Sequence, residues 1–82
     1  VNEPVSVEIR IETDGRIRLL AFDWDGQRLT VDSQGRDWEK DGEHHFLVMV
    51  QGDHIYELAF LQEESLWRLK RQPEDFKGRK FI

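Results

Sequence analysis

A chain of 82 residues without cysteine forms a single domain that buries about 60–65% of its unfolded surface, with no disulfide and no thiolate metal cage. It has no apolar run near the roughly 20 residues that cross a bilayer and no leader pattern, so a soluble, cytoplasmic protein without membrane contact is expected. The net charge of −5 repels phosphate backbones and argues against nucleic acid as the main partner.

Taken in chain order, VSVEIRIE sets Val5, Val7, Ile9 and Ile11 on one face and Ser6, Glu8, Arg10 and Glu12 on the other, the period of a strand with one buried face. Asp14-Gly15 and Asp25-Gly26 then bracket Arg16 to Trp24, and Asp-Gly between apolar runs is a strong hairpin signal because both residues accept positive φ. With two-residue turns at both places, Ile9, Leu20 and Val31 fall into one row and Val7, Phe22 and Leu29 into the next. A slip at either turn would set Leu20 and Phe22 against charged neighbours.

The same segment, LLAFDWDGQ, carries the Asp-x-Asp-Gly of a phosphotransferase motif at Asp23 and Asp25. That chemistry requires a parallel α/β domain with further magnesium ligands, and nothing here supplies one. Asp23 therefore reads as an outward strand residue and Asp25 as a turn residue.

The next segment, DSQGRDWEKDGE, is dense in turn formers and charge, and reads as a loop with at most a short edge strand around Trp38. Trp38 is then a plug over one end of a small barrel or an aromatic anchor for a partner. EHHFLVMVQ and HIYELAF flank Gly52-Asp53 in another hairpin, whose register is open because Val50 can face Ile55 or Tyr56. A four-residue turn from Gln62 to Ser65 sets Phe60 against Trp67, Leu58 against Leu69 and Tyr56 against Arg71.

The expected fold is all-β, a small antiparallel meander of five to six strands closing into an SH3-like barrel or roll. Closure buries both Leu20, Phe22, Trp24 and the opposite set Ile17, Leu19, Ala21. The alternative is a flatter sheet that dimerises through Ile17, Leu19 and Ala21. Residues 1–72 form the domain, and 73–82 a flexible, basic C-terminal tail. Residues 67–82 carry six Lys or Arg against two acidic residues, while residues 1–66 carry six against fifteen.

No catalytic site, metal or cofactor is expected. His44 and His45 are adjacent on a strand and point to opposite faces, and His54 sits at a hairpin tip, so the three cannot share an ion. Ser6, Ser33 and Ser65 lack a His and a carboxylate placed to activate them.

Phe22-x-Trp24-x-Gly26, Leu29-x-Val31, Trp38, Phe46-x-Val48, Tyr56-Glu57-Leu58 and Trp67-x-Leu69-x-Arg71 follow one another in this order. The set resembles an uncharacterised bacterial small-domain family, a domain of unknown function that stands alone or is appended to the C-terminus of Y-family translesion polymerase-like proteins. The resemblance covers residues 5–71 and implies an accessory or docking role near DNA repair, with no catalytic residues.

The resulting expectation is a non-enzymatic interaction module that meets an unidentified protein partner through Trp38 as aromatic anchor and Arg68, Lys70 and Arg71 as charge complement. The alternatives are single-stranded nucleic-acid binding through aromatics and the tail, and a structural homodimer, so that the chain is a monomer or a weak homodimer.

Overall fold

A computed structural model describes residues 1–77, in eight strands and a terminal 3-10 turn. The strands are β1 (Glu3–Val5), β2 (Val7–Ile11), β3 (Ile17–Trp24), β4 (Gln27–Thr30), β5 (Ser33–Lys40), β6 (Glu43–Val50), β7 (His54–Leu61) and β8 (Leu66–Arg71), and the turn spans Pro73–Phe76. They make two antiparallel sheets, one in the order β1-β8-β7-β6-β5 and one in the order β2-β3-β4. No helix among the described residues is long and apolar enough to cross a membrane.

Two bends tie the sheets together. Ser6 alone separates β1 from β2, and its carbonyl accepts a hydrogen bond from Asp23 N–H at 3.0 Å. At the other bend, Val31 N–H donates to the Leu20 carbonyl in one sheet at 2.9 Å, and Asp32 N–H donates to the Met49 carbonyl in the other at 2.8 Å.

The Asp25-Gly26 turn spends two residues, with φ of 53° and 75°, and sets Phe22 opposite Leu29 and Trp24 opposite Gln27 as expected. Asp41-Gly42 repeats that geometry at 54° and 79°, setting Lys40 opposite Glu43. Both are left-handed at both central residues, which matches the twist of the flanking strands and favours Asp or Asn followed by Gly.

The Asp14-Gly15 corner corrects the expectation. It spends three residues, Thr13 to Gly15, closed by Glu12 N–H to the Arg16 carbonyl and Gly15 N–H to the Glu12 carbonyl, both at 2.9 Å. The odd residue shifts the register by one, so Ile9 faces Leu19 instead of Leu20. A bulge then restores the count. Glu8 faces Ala21 and Val7 faces Phe22, which leaves Leu20 as the extra residue on β3. The expected row of Ile9, Leu20 and Val31 does not exist, whereas the row of Val7, Phe22 and Leu29 does.

The bulge also explains how β3 buries two sets of side chains. Alternation before it points Ile17 and Leu19 inward, and alternation after it points Phe22 and Trp24 to the same core. Leu19 and Ala21 are 2% and 4% exposed, so the face suggested for dimerisation lies inside a single chain. Phe22, Phe46, Val48, Leu58 and Leu69 are fully buried at the centre; each large apolar side chain so buried contributes about 1.5–3 kcal/mol. Phe22 meets Tyr56 edge-on at 5.1 Å, and Trp67 leans on Phe46 and Phe60 at 5.5 and 5.2 Å.

The later hairpins are resolved by their loops. Gln51 to Asp53 form a three-residue loop, so Val50 faces His54 and neither expected alternative occurs. Gln62 to Ser65 reverse the chain in four residues, with Phe60 opposite Trp67 and Leu58 opposite Leu69 as expected. A second bulge follows, which sets Glu57, not Tyr56, opposite Arg71 and leaves Lys70 without a direct partner.

Candidate interaction surface

The segment expected to be a loop around Trp38 is a strand of eight residues, β5. Among the described residues it pairs with β6 on one side only. Because the register sets Trp38 opposite His45, His45 opposite Ala59, and Ala59 opposite Arg68, these residues form one row across four strands. Residues paired in this way share a face. At about 4.8 Å between strands, the backbones of Trp38 and Arg68 lie about 14 Å apart.

The row is built around His45. Its ring stacks on Trp38 with the planes 5° apart and centroids at 5.3 Å. Its Nδ1 lies 2.7 Å from Glu57 Oε2 and its Nε2 lies 3.1 Å from Glu43 Oε1. Each ring nitrogen faces a carboxylate. The carboxylates are held in turn by cations: Arg71 Nε lies 2.6 Å from Glu57 Oε1, and Lys70 Nζ lies 3.3 Å from Glu43 Oε1. The bulge opposite Glu57 lets Lys70 and Arg71, neighbours in the chain, reach the same network.

Glu57 is the only charged residue among the described residues that is buried, at 6% exposed. Burial of a carboxylate is tolerated when it is paired and hydrogen-bonded, and here His45 and Arg71 share the task. One more cation flanks the row and another ends it. The Arg36 guanidinium lies 5.1 Å from the centre of the Trp38 ring, and Arg68 Nη1 donates to the Asn2 carbonyl at 3.1 Å.

The four residues singled out in the sequence therefore share one surface with unequal freedom. Trp38 is half-buried against His45, not a plug in a loop. Arg71 is spent on Glu57 and on the Phe76 ring, 4.6 Å away. Arg68 is half-buried and bonds the Asn2 carbonyl, and Lys70 is 20% exposed beside Glu43. Of the basic tail, Arg79 and Lys80 lie outside the described residues, and the Pro73–Phe76 turn rests against β7 and β8. The sequence presents His45, with Glu43 nearby, only as a candidate metal ligand, and does not single out Glu57 as a site residue. Their signal in the sequence was the outward phase of two strands whose inward phase is apolar, and it needed the β6–β7 register before it could be read.

His44, on the opposite phase, donates from Nε2 to Asp37 Oδ2 at 2.6 Å and stacks on Phe46 at 4.2 Å. It lines an open groove of about 1060 Å³ between β3 and β5, floored by Phe46 and Phe60. Gln34 is also part of its lining. At the other end a cleft of about 290 Å³ is bordered by Trp24, Asp25, Tyr56 and Glu74. Burial raises the Tyr56 phenol above its usual pKa, and the Glu74 and Asp25 carboxylates raise it further.

Asp23 is exposed and sits 3.6 Å from Arg28, and Asp25 occupies the turn. Among the described residues no group of three or more His, Asp or Glu is gathered in metal-holding geometry. No family model, no curated protein and no solved structure matches the chain.

Proposed function

We propose that the chain is a non-enzymatic, SH3-like β-roll that serves as a protein-interaction module, and that the outer face of its five-stranded sheet is the docking surface. The observation that carries this reading is the single row of Trp38, His45 and Arg68, with Arg36 and Lys70 beside it. A rigid aromatic on a strand, with Arg36 over its ring and Arg68 farther along the same row, suits an acidic peptide or an acidic protein surface. Two bent strands shared between the sheets support the roll. A role as an accessory domain of a larger repair assembly agrees with such a surface.

Single-stranded nucleic acid is the weaker reading. Trp38 already stacks on His45 and lies under Arg36, so base stacking would displace one of those contacts, and the acidic body repels the backbone. The test is a titration with an Asp/Glu-rich peptide, following the Trp38 indole N–H by nuclear magnetic resonance, beside a labelled oligonucleotide at low and high salt. Docking predicts peptide-induced shifts along the row that vanish in Trp38→Ala and in Arg68→Glu, both folded. Salt-dependent oligonucleotide binding without a peptide response would replace this reading with the other.

A further inference from the structure

The free edge of β2 is complementary to itself. Among the described residues no strand pairs with β2 on the side away from β3, and Glu8, Ile9, Arg10 and Ile11 are all exposed, Ile11 to 66%. An open edge with apolar side chains is a template for another strand, and proteins that leave such an edge uncovered either blunt it or use it.

The hydrogen bonds to β3 reveal which backbone groups remain available. Glu12 N–H bonds the carbonyl of its direct partner Arg16, so Glu12 is a hydrogen-bonded position, and alternation makes Ile11 and Ile9 the outward-pointing ones. At the other end Asp23 N–H bonds the Ser6 carbonyl, which brackets the pair Val7–Phe22 and turns the Val7 groups outward too. The bulge residue, Leu20, is on β3, so β2 keeps an unbroken period of two. Val7, Ile9 and Ile11 therefore all present N–H and C=O to the open side.

We infer that two copies of this chain associate by antiparallel pairing of β2 with β2, centred on Ile9. In that register Ile9 meets Ile9 of the second copy and Val7 meets Ile11, each exchanging both main-chain hydrogen bonds. Glu8 meets Arg10 in both directions, in the narrow pairs where side chains approach most closely. Such an isologous contact closes on itself and stops at two copies. It joins the two three-stranded sheets into one continuous sheet. The contact is independent of the Trp38 surface. It is also far smaller than the roughly 1,600 Å² of a standard interface, so the dimer is weak and dissociates on dilution.

The test is sedimentation equilibrium across a wide concentration range, starting from the 9.8 kDa monomer. The apparent mass rises toward that of two chains as concentration increases. Glu8→Arg and Arg10→Glu each set like charges opposite one another and weaken association by at least about tenfold. An equimolar mixture of the two variants restores it, because the mixed pair is again complementary, and so does the double variant E8R/R10E. Ile11→Pro removes an outward N–H without breaking a bond to β3, so it abolishes the dimer while leaving the thermal midpoint of the dilute monomer nearly unchanged. A wild-type chain that stays monomeric throughout, or a dimer indifferent to both charge reversals, overturns the inference. So does edge pairing with an unrelated peptide of matching alternation but without pairing between copies.

Discussion

The side chain of Gln34 occupies the place of a strand beside Leu19. Its Oε1 accepts the Leu19 N–H at 2.9 Å, and its Nε2 donates to the Ile17 carbonyl at 3.0 Å. β4 covers the edge of β3 only from Ala21 to Trp24, and beyond Val31 the chain leaves for the other sheet. Backbone groups of Ile17 and Leu19 would otherwise face the groove unpaired, at a cost of about 1–3 kcal/mol for each one that is buried. One amide side chain, with a donor and an acceptor on the same planar group, satisfies both.

Gln34→Ala is therefore expected to destabilise the domain by about 1–2 kcal/mol, because water entering the groove satisfies part of what is lost. The diagnostic measurement is local. Hydrogen exchange at the Leu19 amide accelerates far more than at Phe46 or Leu58. Uniform acceleration across the core would mean that Gln34 acts through general packing and not as a substitute strand.

Arg71 and Arg68 sit three residues apart on β8, but their replacement separates them. Arg71→Ala strips the buried Glu57 of its cation, and is expected to cost about 1–3 kcal/mol, less than for a fully buried pair because the guanidinium is partly solvated. Arg68→Ala removes one exposed bond to Asn2 and is expected to cost under about 0.5 kcal/mol. Because apolar replacement of a whole buried pair is often neutral, E57L/R71L is expected to be more stable than R71A. Urea denaturation of the three variants decides it; equal losses for R71A and R68A would remove Glu57 from the account of stability.

The hairpins with apolar flanks were legible, and the residues that organise the surface were not. Phe22 opposite Leu29 follows from alternation on both sides of Asp25-Gly26. Asp41-Gly42 is written in the same two letters, but Ser33–Lys40 has no apolar alternation, because its inward positions border an open groove and its one large apolar residue, Trp38, faces out against His45. The loop at Asp14-Gly15 and the bulge at Leu20 are coupled errors of opposite sign. Either length of loop obeys local rules, and only burial of Ile17, Leu19, Phe22 and Trp24 in one core selects three residues with a compensating bulge. Glu57 lies inside IYELAF and looks like an outward strand residue. Its burial arises from His45 and Arg71, which stand on different strands and meet it only in the folded sheet.

Asp14 caps its own loop, its carboxylate accepting from Arg16 N–H at 3.0 Å and from Arg16 Nε at 2.9 Å. The backbone hydrogen bond, reinforced by the guanidinium, lowers the carboxyl below its usual 3.8. Because the folded value is the lower one, the contribution to stability is complete above 3.8 and disappears as pH falls through the folded value. The carbon resonance of the Asp14 carboxyl is expected to titrate below 3.8, and Arg16→Ala to move its midpoint back up. A midpoint at or above 3.8 in the folded chain would show that the loop does not hold the charge.

Tyr56 is the only tyrosine in the chain, which makes the opposite end of the pH scale directly readable. Burial against Phe22 disfavours the phenolate, and the Glu74 and Asp25 carboxylates at the neighbouring cleft oppose it further, so the folded pKa lies above the ordinary 10.0. The folded state then binds the proton more tightly than the unfolded state. Its contribution is intact below 10.0 and is lost as pH rises from there through the folded value. Phenolate absorbance of the folded chain is expected to rise at higher pH than in urea, and Glu74→Gln to shift it part of the way back. Coincident folded and unfolded titrations would place the hydroxyl in water and leave Phe22 packing on a solvated ring.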